Sequence, residues 1–540
     1  MKQRGVAIRG LVPLVLCASA AARIPLAGKA AFTTHAMLRS CNRRGSTLFP
    51  KGTNGKRLWG RRLPHGRRDI DSGGAALRFS SSAAADGDLP DDELDALVKT
   101  TVAALPTRPR VAVVGAGFAG LATAYHLARF GSDVTVFDPN EAGAGGASSV
   151  AAGLLHPLTP RGKLIWKGEE GYKAAKHLIE TVNAELIGDN AAGDSVQGAK
   201  GNELRGCVTA DNVYRPLLDD TQLDLFTKAA EDLPQWVESL TREELMEVVP
   251  GSTADCLGGV RIRGALAVDA PAYLKGLWAA CCGLLNTNQS SSQDSSGGGD
   301  SAMWVRRSVE DIHALAASGD YNAVVACVGA GVRVLAGVKD IVSLRFVRGQ
   351  CLLYDNVKEA AVVGAGGETE STAAAKATGD SGKLLQSAVL CGQYVVPSTV
   401  DETGAAGGNG GKILLGSTQE HVMSGQQVDK PPDMAKALRQ LRPKVAKFFP
   451  ALEEVEPVGV TSGVRVIQDR NSYGRIPIAG RLPFSKRGWV IAALGARGLI
   501  HHAYLGKLVA ACALLDSDER LPPQVMAPLE DLGKESTGDL

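Results

Sequence analysis

The chain has 540 residues, of which 44% are hydrophobic and 21% charged, and its formal net charge is +2. This composition is typical of a soluble globular protein with ample material for a large core. The charge is unevenly placed, because no Asp or Glu precedes Asp69 and the basic start leaves behind a mildly acidic body. A nucleic-acid footprint over the folded part is therefore disfavoured.

The N-terminal segment is basic and acid-free, which is typical of a transit peptide. Within it, the apolar run Leu11–Ala22 resembles a signal-peptide core and is too short to span a bilayer. The two features in tandem are similar to the bipartite leaders of secondary plastids in algae; a mitochondrial presequence and a basic tail without an address are the alternatives. We expect residues 1–85 to be a targeting leader and disordered linker, with a plastid favoured. No later stretch is predicted to cross a membrane.

The cysteines argue against a metal centre. There are ten: Cys17 and Cys41 lie in the expected leader, the other eight are scattered singly through the body except for Cys281 and Cys282, and no C-x-x-C occurs. Zinc sites and dithiol redox centres need such spacings, so we predict free thiols and no metal.

Ordered structure is predicted from about Arg108. Three Gly/Ser/Ala-rich stretches, at residues 286–301, 364–382 and 403–411, bury too little apolar surface to offset their ordering entropy. We expect them to be surface loops or disorder that interrupt the body without dividing it.

A complete βαβ unit opens the body. Arg110–Val114 is short and β-branched, as expected of a buried parallel strand. The apolar helix Leu121–Phe130 follows, and the second strand, Val134–Phe137, leads directly to Asp138. The loop between the first strand and the helix consists of Gly115, Ala116, Gly117, Phe118, Ala119 and Gly120. Its position between two strands makes a dinucleotide-binding loop the favoured interpretation.

Each glycine of this loop has a physical role. Gly115 permits a tight turn, Gly117 lets the backbone approach a pyrophosphate, and Gly120 lets the helix pack closely on the strand. The helix N-terminus offers unpaired N–H groups to the phosphates. Asp138 is predicted to accept hydrogen bonds from the adenosine ribose.

A second small-residue loop distinguishes a flavin from a nicotinamide. Residues 143–149 are Gly, Ala and Ser only, and Gly153 follows. Small residues followed by the hydroxyls of Ser148 and Ser149 suit a loop wrapped against the pyrophosphate and isoalloxazine end of FAD. With these residues the chain resembles the D-amino acid oxidase family of FAD-dependent oxidoreductases. That family includes glycine and sarcosine oxidases and the oxidase part of an enzyme that modifies wobble uridine in tRNA.

The resemblance extends from about Arg110 to about Ala511. Tyr321–Gly331 is similar to the family's second flavin-contacting strand, with Gly329 in its turn; Val334 stands where a third glycine would, so a separate NADPH site is disfavoured. Later strands of the substrate domain are matched by Phe346–Leu353, Tyr394–Pro397 and Leu414–Thr418.

The fold that the resemblance implies is α/β: a Rossmann-type FAD-binding domain with an interleaved, mostly antiparallel substrate-binding domain. It places the oxidoreductase domain at residues 108–520 and a tail at 521–540. The FAD-binding parts are then about 108–160, 310–340 and 460–515, and the substrate-binding parts about 205–300 and 341–460.

The C-terminal match carries the most information. Gly463–Arg465 and then Gly474–Gly480 are similar to the family's Gly-Leu-Arg and Asp-Gly-x-Pro-x-x-Gly motifs. A strand and a glycine turn follow, opening an apolar helix through Leu515. The turn consists of Gly495, Ala496, Arg497, Gly498, Leu499 and Ile500. The resemblance implies that it presents N–H groups to the flavin's pyrimidine end, where a positive helix terminus stabilises the anionic reduced flavin.

Arg465 is the candidate carboxylate clamp, since a planar guanidinium binds a carboxylate bidentately. The segment between Arg465 and Pro477 is longer than in glycine oxidase and lacks the usual Asp, which leaves Arg470 as the alternative. An ordinary packing arginine is the bland interpretation.

Other residues have weaker signals. His156 is expected to be structural or pocket-lining, and His501 and His502 either line the pocket or begin a helix. Tyr394 and Arg348 are pocket candidates by position, and Trp166 is expected in the core.

The resemblance implies oxidation of the C–N bond of a small amino acid or N-substituted glycine to an imine, with oxygen or another acceptor reoxidising the flavin. One alternative is an oxidase for an aminomethylated tRNA uridine, and another is a flavin-binding protein without turnover.

Overall fold

The computed structural model describes residues 91–191, 206–290, 302–339, 344–356, 385–399, 411–422, 428–470, 472–483 and 485–535. The expected leader at residues 1–85 lies outside these ranges, as do most of the three Gly/Ser/Ala-rich stretches. The organelle to which the leader directs the protein stays a prediction. Locating the full chain fused to a fluorescent protein, with and without residues 2–85, tests it.

The described ranges contain ten α-helices. They are α1 (Asp91–Ala103), α2 (Phe118–Arg129), α3 (Gly168–Ala191), α4 (Asp220–Asp232), α5 (Arg242–Val248), α6 (Ala270–Ser290), α7 (Ile312–Ala317), α8 (Met434–Val445), α9 (Gly498–Leu515) and α10 (Pro523–Glu535).

The same ranges contain eighteen strands. They are β1 (Arg110–Val114), β2 (Asp133–Phe137), β3 (Leu154–Leu155), β4 (Val208–Ala210), β5 (Val213–Leu217), β6 (Val237–Leu240), β7 (Gly258–Ile262), β8 (Leu266–Val268), β9 (Ala302–Val305), β10 (Ala323–Ala326), β11 (Leu344–Asp355), β12 (Ala388–Cys391), β13 (Gln393–Ser398), β14 (Lys412–Gly416), β15 (Glu420–Val422), β16 (Gly459–Gln468), β17 (Ile478–Arg481) and β18 (Gly488–Ala492).

The fold contains two large sheets, which we call the nucleotide sheet, because it contains the predicted dinucleotide-binding unit, and the substrate sheet. The nucleotide sheet has the order β17-β18-β10-β1-β2-β9 and is parallel except for the β17–β18 pair. The substrate sheet has the order β15-β11-β14-β13-β12-β5-β7-β6, with β16 also paired to β11, and is antiparallel except for β12–β5. A small sheet, β3-β8-β4, completes the set for the described residues. This architecture confirms the predicted α/β fold with its mostly antiparallel second sheet.

The nucleotide sheet is covered by apolar helices. Four of the five residues of β1 are buried, as a parallel strand between two layers requires. Helix α9 packs against α2 and α3 in this layer. It belongs to Gly495–Leu515, the one segment among the described residues that is long and apolar enough to cross a membrane. Its burial within the protein accounts for that apolarity.

The substrate sheet has two distinct faces. One face packs against α5 and α8 through residues such as Tyr354 and Leu441. The other, which we call the inner face, carries Cys351, Tyr394 and Val260 and packs against α4. Side chains alternate between faces along a strand, and residues paired across strands share a face. The strand register therefore fixes which residues belong to the inner face.

Ordered structure begins earlier in the chain than the sequence predicted. Helix α1 lies between the expected leader and linker, residues 1–85, and the predicted start at Arg108, and its Leu94, Val98 and Val102, at i, i+4 and i+8, are buried in the nucleotide core. The Asp95 carboxylate, also buried, pairs with Lys507 at 3.0 Å and with an arginine of α2. The acidic composition hid this apolar stripe, so the predicted start at Arg108 was wrong.

Two other boundaries differ from prediction. Helix α6 runs to Ser290, so the start of the stretch at residues 286–301 is helical. Within the predicted tail, α10 packs on β17, with Val525 and Leu529 buried. Buried apolar residues hold both helices on the core: Tyr273, Leu274 and Leu277 in α6, and Val525 and Leu529 in α10.

Candidate functional site

The turn between β1 and α2 brings the two backbones into direct contact. Gly115 has φ +98°, a conformation that L side chains rarely adopt. A Cβ on Gly120 would lie 1.7 Å from the Gly115 carbonyl oxygen, so any side chain there forces α2 away from β1. The roles that the sequence predicted for these two glycines agree with this geometry.

The first turn of α2 contacts the second small-residue loop and has no side-chain cap of its own. Gly117, the N-cap residue, gives no side-chain cap, and the Phe118 N–H donates to Ser148 Oγ at 3.2 Å. A Cβ on Gly117 would lie 2.9 Å from that same Oγ. The glycine turn therefore contacts the second small-residue loop, residues 143–150, which we call the flavin-type loop. The contact runs through the Ser148 hydroxyl, and a side chain at position 117 would displace it. Ala116 and Ala119 are buried in the same turn.

Asp138 lies at the end of β2, beside the glycine turn. Its Oδ2 accepts the Ala116 N–H at 2.8 Å, and its Oδ1 accepts the Asn140 N–H at 2.8 Å. The Asn140 side-chain amide also donates to Oδ1 at 3.2 Å. A carboxylate offers about four acceptor sites, so about one, on Oδ2, remains for a ribose hydroxyl. The half-buried position of Asp138 suits that role.

The second small-residue loop is fixed by its own hydroxyl and by a glycine. Ser149 Oγ donates to the Gly146 carbonyl at 3.1 Å. Gly153 has φ +65°, and a Cβ there would lie 1.7 Å from the Val268 carbonyl oxygen. This loop thus lies too close to β8 for any side chain.

The C-terminal turn completes the site from the opposite side. Gly495 has φ +61°, and a Cβ there would lie 2.8 Å from Ile467. A Cβ on Gly498 would come within 3.4 Å of the Phe118 ring, so the first turns of α9 and α2 touch. Leu499 and Ile500 are buried, so only their backbone groups are available to a ligand. Gly329, with φ +51°, opens a 3₁₀ turn after β10, the strand beside β1.

These elements fit a flavin dinucleotide. The turn after β1 brings Gly115 and Gly120 into backbone contact with no room for a Cβ, and the first turn of α2 supplies N–H groups and a positive dipole end for a pyrophosphate. Asp138 lies beside that turn, where the sequence predicts a ribose contact, and the turn at residues 495–498 gives a second helix N-terminus.

Strand β16 carries the candidate carboxylate clamp to this site. A Cβ on Gly463 would lie 2.9 Å from Ala147 Cα and 2.7 Å from a methyl of Val150, so the strand lies directly against the flavin-type loop. Arg465 shares the face of Gly463, because residues two apart on a strand point the same way. Arg465 therefore lies on the side of the sheet where that loop is.

The Arg465 guanidinium lies beside Tyr394. A Cβ on Gly349 would be 3.3 Å from Arg465 Nη2, which places the guanidinium over β11. Tyr394 and Cys351 share that inner face, with 3.1 Å between the Tyr394 hydroxyl and the Cys351 sulfur. No Asp or Glu among the described residues pairs with Arg465. An unpaired guanidinium next to a hydroxyl is a carboxylate-binding arrangement.

Burial controls the proton affinities around Tyr394. Burial, aided by Cys351, raises the pKa of Tyr394 well above its ordinary value, and the nearby Arg465 opposes this. Burial also raises the pKa of the Cys351 thiol. Both groups therefore stay protonated at neutral pH, and the phenol remains a hydrogen-bond donor.

The histidines near the flavin-type loops are neutral. Burial, together with the positive charges of Arg215 and Arg497, lowers the pKa of His156 to about 4. Burial, with Arg497 contributing, lowers the pKa of His501 to about 3. His156, His501 and Arg497 thus lie close enough to act on one another electrostatically, as pocket-lining residues would.

His502 has a structural role. Its Nε2 lies 2.7 Å from the Tyr273 hydroxyl and its Nδ1 2.8 Å from the Leu499 carbonyl oxygen. Burial lowers the pKa of His502 to about 4. This residue ties the first turn of α9 to α6 instead of lining a pocket.

The structure also decides among the weaker candidates. Arg470 is exposed and lies beyond the end of β16, which favours Arg465 as the clamp. Arg348 was a pocket candidate, but it lies on the other face and donates to the Pro431 carbonyl at 2.7 Å, so that prediction was wrong. Trp166 packs against His501 with ring centroids 5.7 Å apart.

Sequence reasoning missed one charged residue of the inner face. Arg215 on β5 is buried, and its guanidinium stacks 4.7 Å from the centre of the Phe226 ring. The signal was present, because a single Arg within an otherwise apolar strand is an expensive residue to bury. Within the described ranges no group of three or more His, Cys, Asp or Glu side chains is placed to hold a metal.

Fold and site together define a flavoprotein oxidoreductase. A family model described as FAD dependent oxidoreductase matches residues 110–512. The chain belongs to this D-amino acid oxidase family and its cofactor is FAD, which confirms the resemblance inferred from the sequence.

Comparisons with individual proteins agree at the level of the fold. Over 177 residues, 31% of this chain, it is 32% identical to the uncharacterized oxidoreductase YurR of Bacillus subtilis (strain 168), and that match spans only 42% of the relative. Glycine oxidase from Geobacillus kaustophilus is similar in structure, with a TM-score of 0.55, 20% identity, and coverage of 76% of this chain and 95% of that one. For iminodiacetate oxidase from Chelativorans sp. BNC1 the TM-score is 0.52, with 18% identity and coverage of 76% and 97%.

The close approach at Gly120 predicts that a side chain at this position weakens FAD binding. Gly120→Ala places a methyl group against the Gly115 carbonyl, so the turn must open and the α2 donors shift. We expect FAD affinity to fall at least tenfold, measured by fluorescence quenching during FAD titration of the apoprotein. Gly411→Ala is the matched control, because a Cβ there meets nothing within 4 Å. Equal FAD affinity in the two variants would contradict the assigned role of Gly120.

The neutral histidines predict acid sensitivity. Unfolded histidines take up protons near pH 6.5, whereas folded His156, His501 and His502 do so only near pH 3 to 4. Between these limits the unfolded state binds more protons, so stability falls as pH falls from about 6.5 to 4. Each histidine contributes a slope of at most about 1.4 kcal/mol per pH unit.

One variant isolates the contribution of His501. His501→Phe removes a buried imidazole whose Nδ1 has no hydrogen-bond partner, while keeping a ring against Trp166. We expect urea unfolding at several pH values to show a shallower acid dependence for this variant. The control is His177→Phe, an exposed position on α3, and an unchanged slope in His501→Phe contradicts the assignment.

Proposed function

We propose that this enzyme oxidises the C–N bond of a small amino acid or N-substituted glycine to an imine. The observation that carries the proposal is the unpaired Arg465 guanidinium beside Tyr394, on the sheet face that Gly463 turns to the flavin-type loop. The structural similarity to glycine oxidase and iminodiacetate oxidase supports the same substrate class.

Substrate orientation follows from these side chains. A guanidinium holds a carboxylate by two parallel hydrogen bonds, and the protonated Tyr394 hydroxyl adds a third donor. With the carboxylate fixed there, the α-carbon and its nitrogen extend towards the loop at residues 147–150. When bound, FAD supplies hydride acceptance. Such chemistry asks of the protein mainly position and a dry pocket.

The side chains around this site do not protonate the substrate amine. His156 and His501 have pKa values of about 4 and about 3, so neither is an imidazolium at neutral pH. The Cys351 thiol keeps its proton because burial raises its pKa. An amine substrate that reaches the pocket in its neutral form therefore meets no acid that would protonate it and remove the electron pair that C–N oxidation needs.

The test is anaerobic reduction of the flavin. Purified full-length holoenzyme is titrated with glycine, sarcosine, proline and D-alanine, and loss of the oxidised-flavin absorbance is followed. Bleaching by one of them is the expected result. Bound FAD that none of them bleaches contradicts a small amine substrate and favours an aminomethylated uridine or a flavin protein without turnover, which a transcript-derived tRNA then separates.

Substitution at Arg465 tests the clamp. We expect Arg465→Met to lower kcat/KM for the active amine about 100-fold, because the carboxylate loses its bidentate partner. FAD content and Tm should be unchanged. Arg470→Met is the matched control, as Arg470 is exposed at the end of the same strand. Loss of activity in Arg470→Met with full activity in Arg465→Met would reverse the assignment.

A further inference from the structure

Arg215 is a buried cation without an anionic partner. Only 8% of the residue is exposed, and its Nε is buried without a hydrogen bond. No acid within the described ranges forms an ion pair with it. The charge of Asp219 acts on Arg215, but its two carboxylate oxygens accept the backbone and side-chain N–H groups of Gln222 as the cap of α4. Burying a charge in this way is costly unless something pairs with it.

The strand register places Arg215 on the inner face with the substrate clamp. Tyr394 pairs with Leu390, and Ala388, two residues before Leu390, pairs with Val213. Arg215 is two residues beyond Val213, so it shares the face of Tyr394 and Arg465. Its own cross-strand partner, Val260, belongs to the same inner-face cluster.

Two neighbours locate the guanidinium. It lies 4.7 Å from the centre of the Phe226 ring, and aromatic faces favour such a stacked arginine. The charge of Arg215 also acts on His156, which Arg497 of the C-terminal turn affects too. Arg215 therefore lies between α4 and the residues next to the flavin-type loops.

We propose that Arg215 is a second anion-binding residue of the substrate pocket, so that the preferred substrate carries two acidic groups: an α-carboxylate at Arg465 and a side-chain carboxylate at Arg215. This rests on the proposed function and narrows its substrate class. Arg465 lies on β16 and Arg215 on β5, with four strands (β11, β14, β13 and β12) between them, so the two long side chains must extend towards each other along the inner face. Bridging them favours the longer acid glutamate over aspartate.

The experiment compares acids with neutral molecules of the same shape. Full-length holoenzyme is assayed with both enantiomers of glutamate, glutamine, aspartate and alanine by anaerobic flavin reduction. We expect a KM for glutamate at least tenfold below that for glutamine. Arg215→Gln should raise the glutamate KM at least tenfold, with kcat and the alanine KM unchanged, and Arg215→Lys should retain part of the preference.

A binding measurement separates this inference from the proposed function. Glutarate and butanoate need no turnover, and we expect glutarate to raise the Tm of the holoenzyme more than butanoate does, a difference lost in Arg215→Gln. Arg261→Gln is the matched control, because Arg261 lies on the opposite face, where it contacts Tyr214 and pairs with Glu238 at 3.2 Å. Equal Tm shifts by the two acids overturn the role of Arg215, even when the enzyme oxidises small amines.

Discussion

The pairing of β16 with β11 holds the catalytic arrangement together. Ten residue pairs, from Leu344↔Gln468 to Leu353↔Gly459, fix the register of β16. Side chains alternate along a strand, so a slip of one residue would turn Arg465 away from the flavin-type loop. Gly463 and Ile467, on the same face as Arg465, touch that loop and the C-terminal turn. One strand of the substrate sheet is thus fixed against both flavin-binding elements.

Close backbone approaches explain why this arrangement tolerates little change. At Gly120 and Gly153 a Cβ would lie 1.7 Å from a carbonyl oxygen, less than any side chain permits. These contacts bring the N-terminus of α2 and the second loop into one cradle. The substrate sheet then packs on that cradle through Gly463, a third position where a side chain would collide. The site depends on backbone geometry, while the individual charged side chains add specificity.

The sequence predicted the nucleotide half well, because its signals are local. Gly115, Gly120 and Asp138 lie in one continuous βαβ unit, and the structure brings them together at its turn. The substrate half depends on pairing between distant strands, which composition does not reveal. Arg348 was a pocket candidate by position beside the clamp candidate Arg465, and only the register shows that the two lie on opposite faces. Helix α1 was missed because its acids outnumber its buried stripe of leucine and valine.

The electrostatics of the pocket follow from the same geometry. Arg215, Arg465 and Arg497 contribute fixed positive charge, and an arginine does not lose its proton in a protein. Burial keeps His156 and His501 neutral, with pKa values of about 4 and about 3, and Arg497 adds to both effects while Arg215 adds to that on His156. The charge of these arginines and histidines is therefore constant from about pH 5 to neutral pH. Any pH dependence of substrate capture in that range must arise from the amine of the substrate, whose neutral form is the one that C–N oxidation uses.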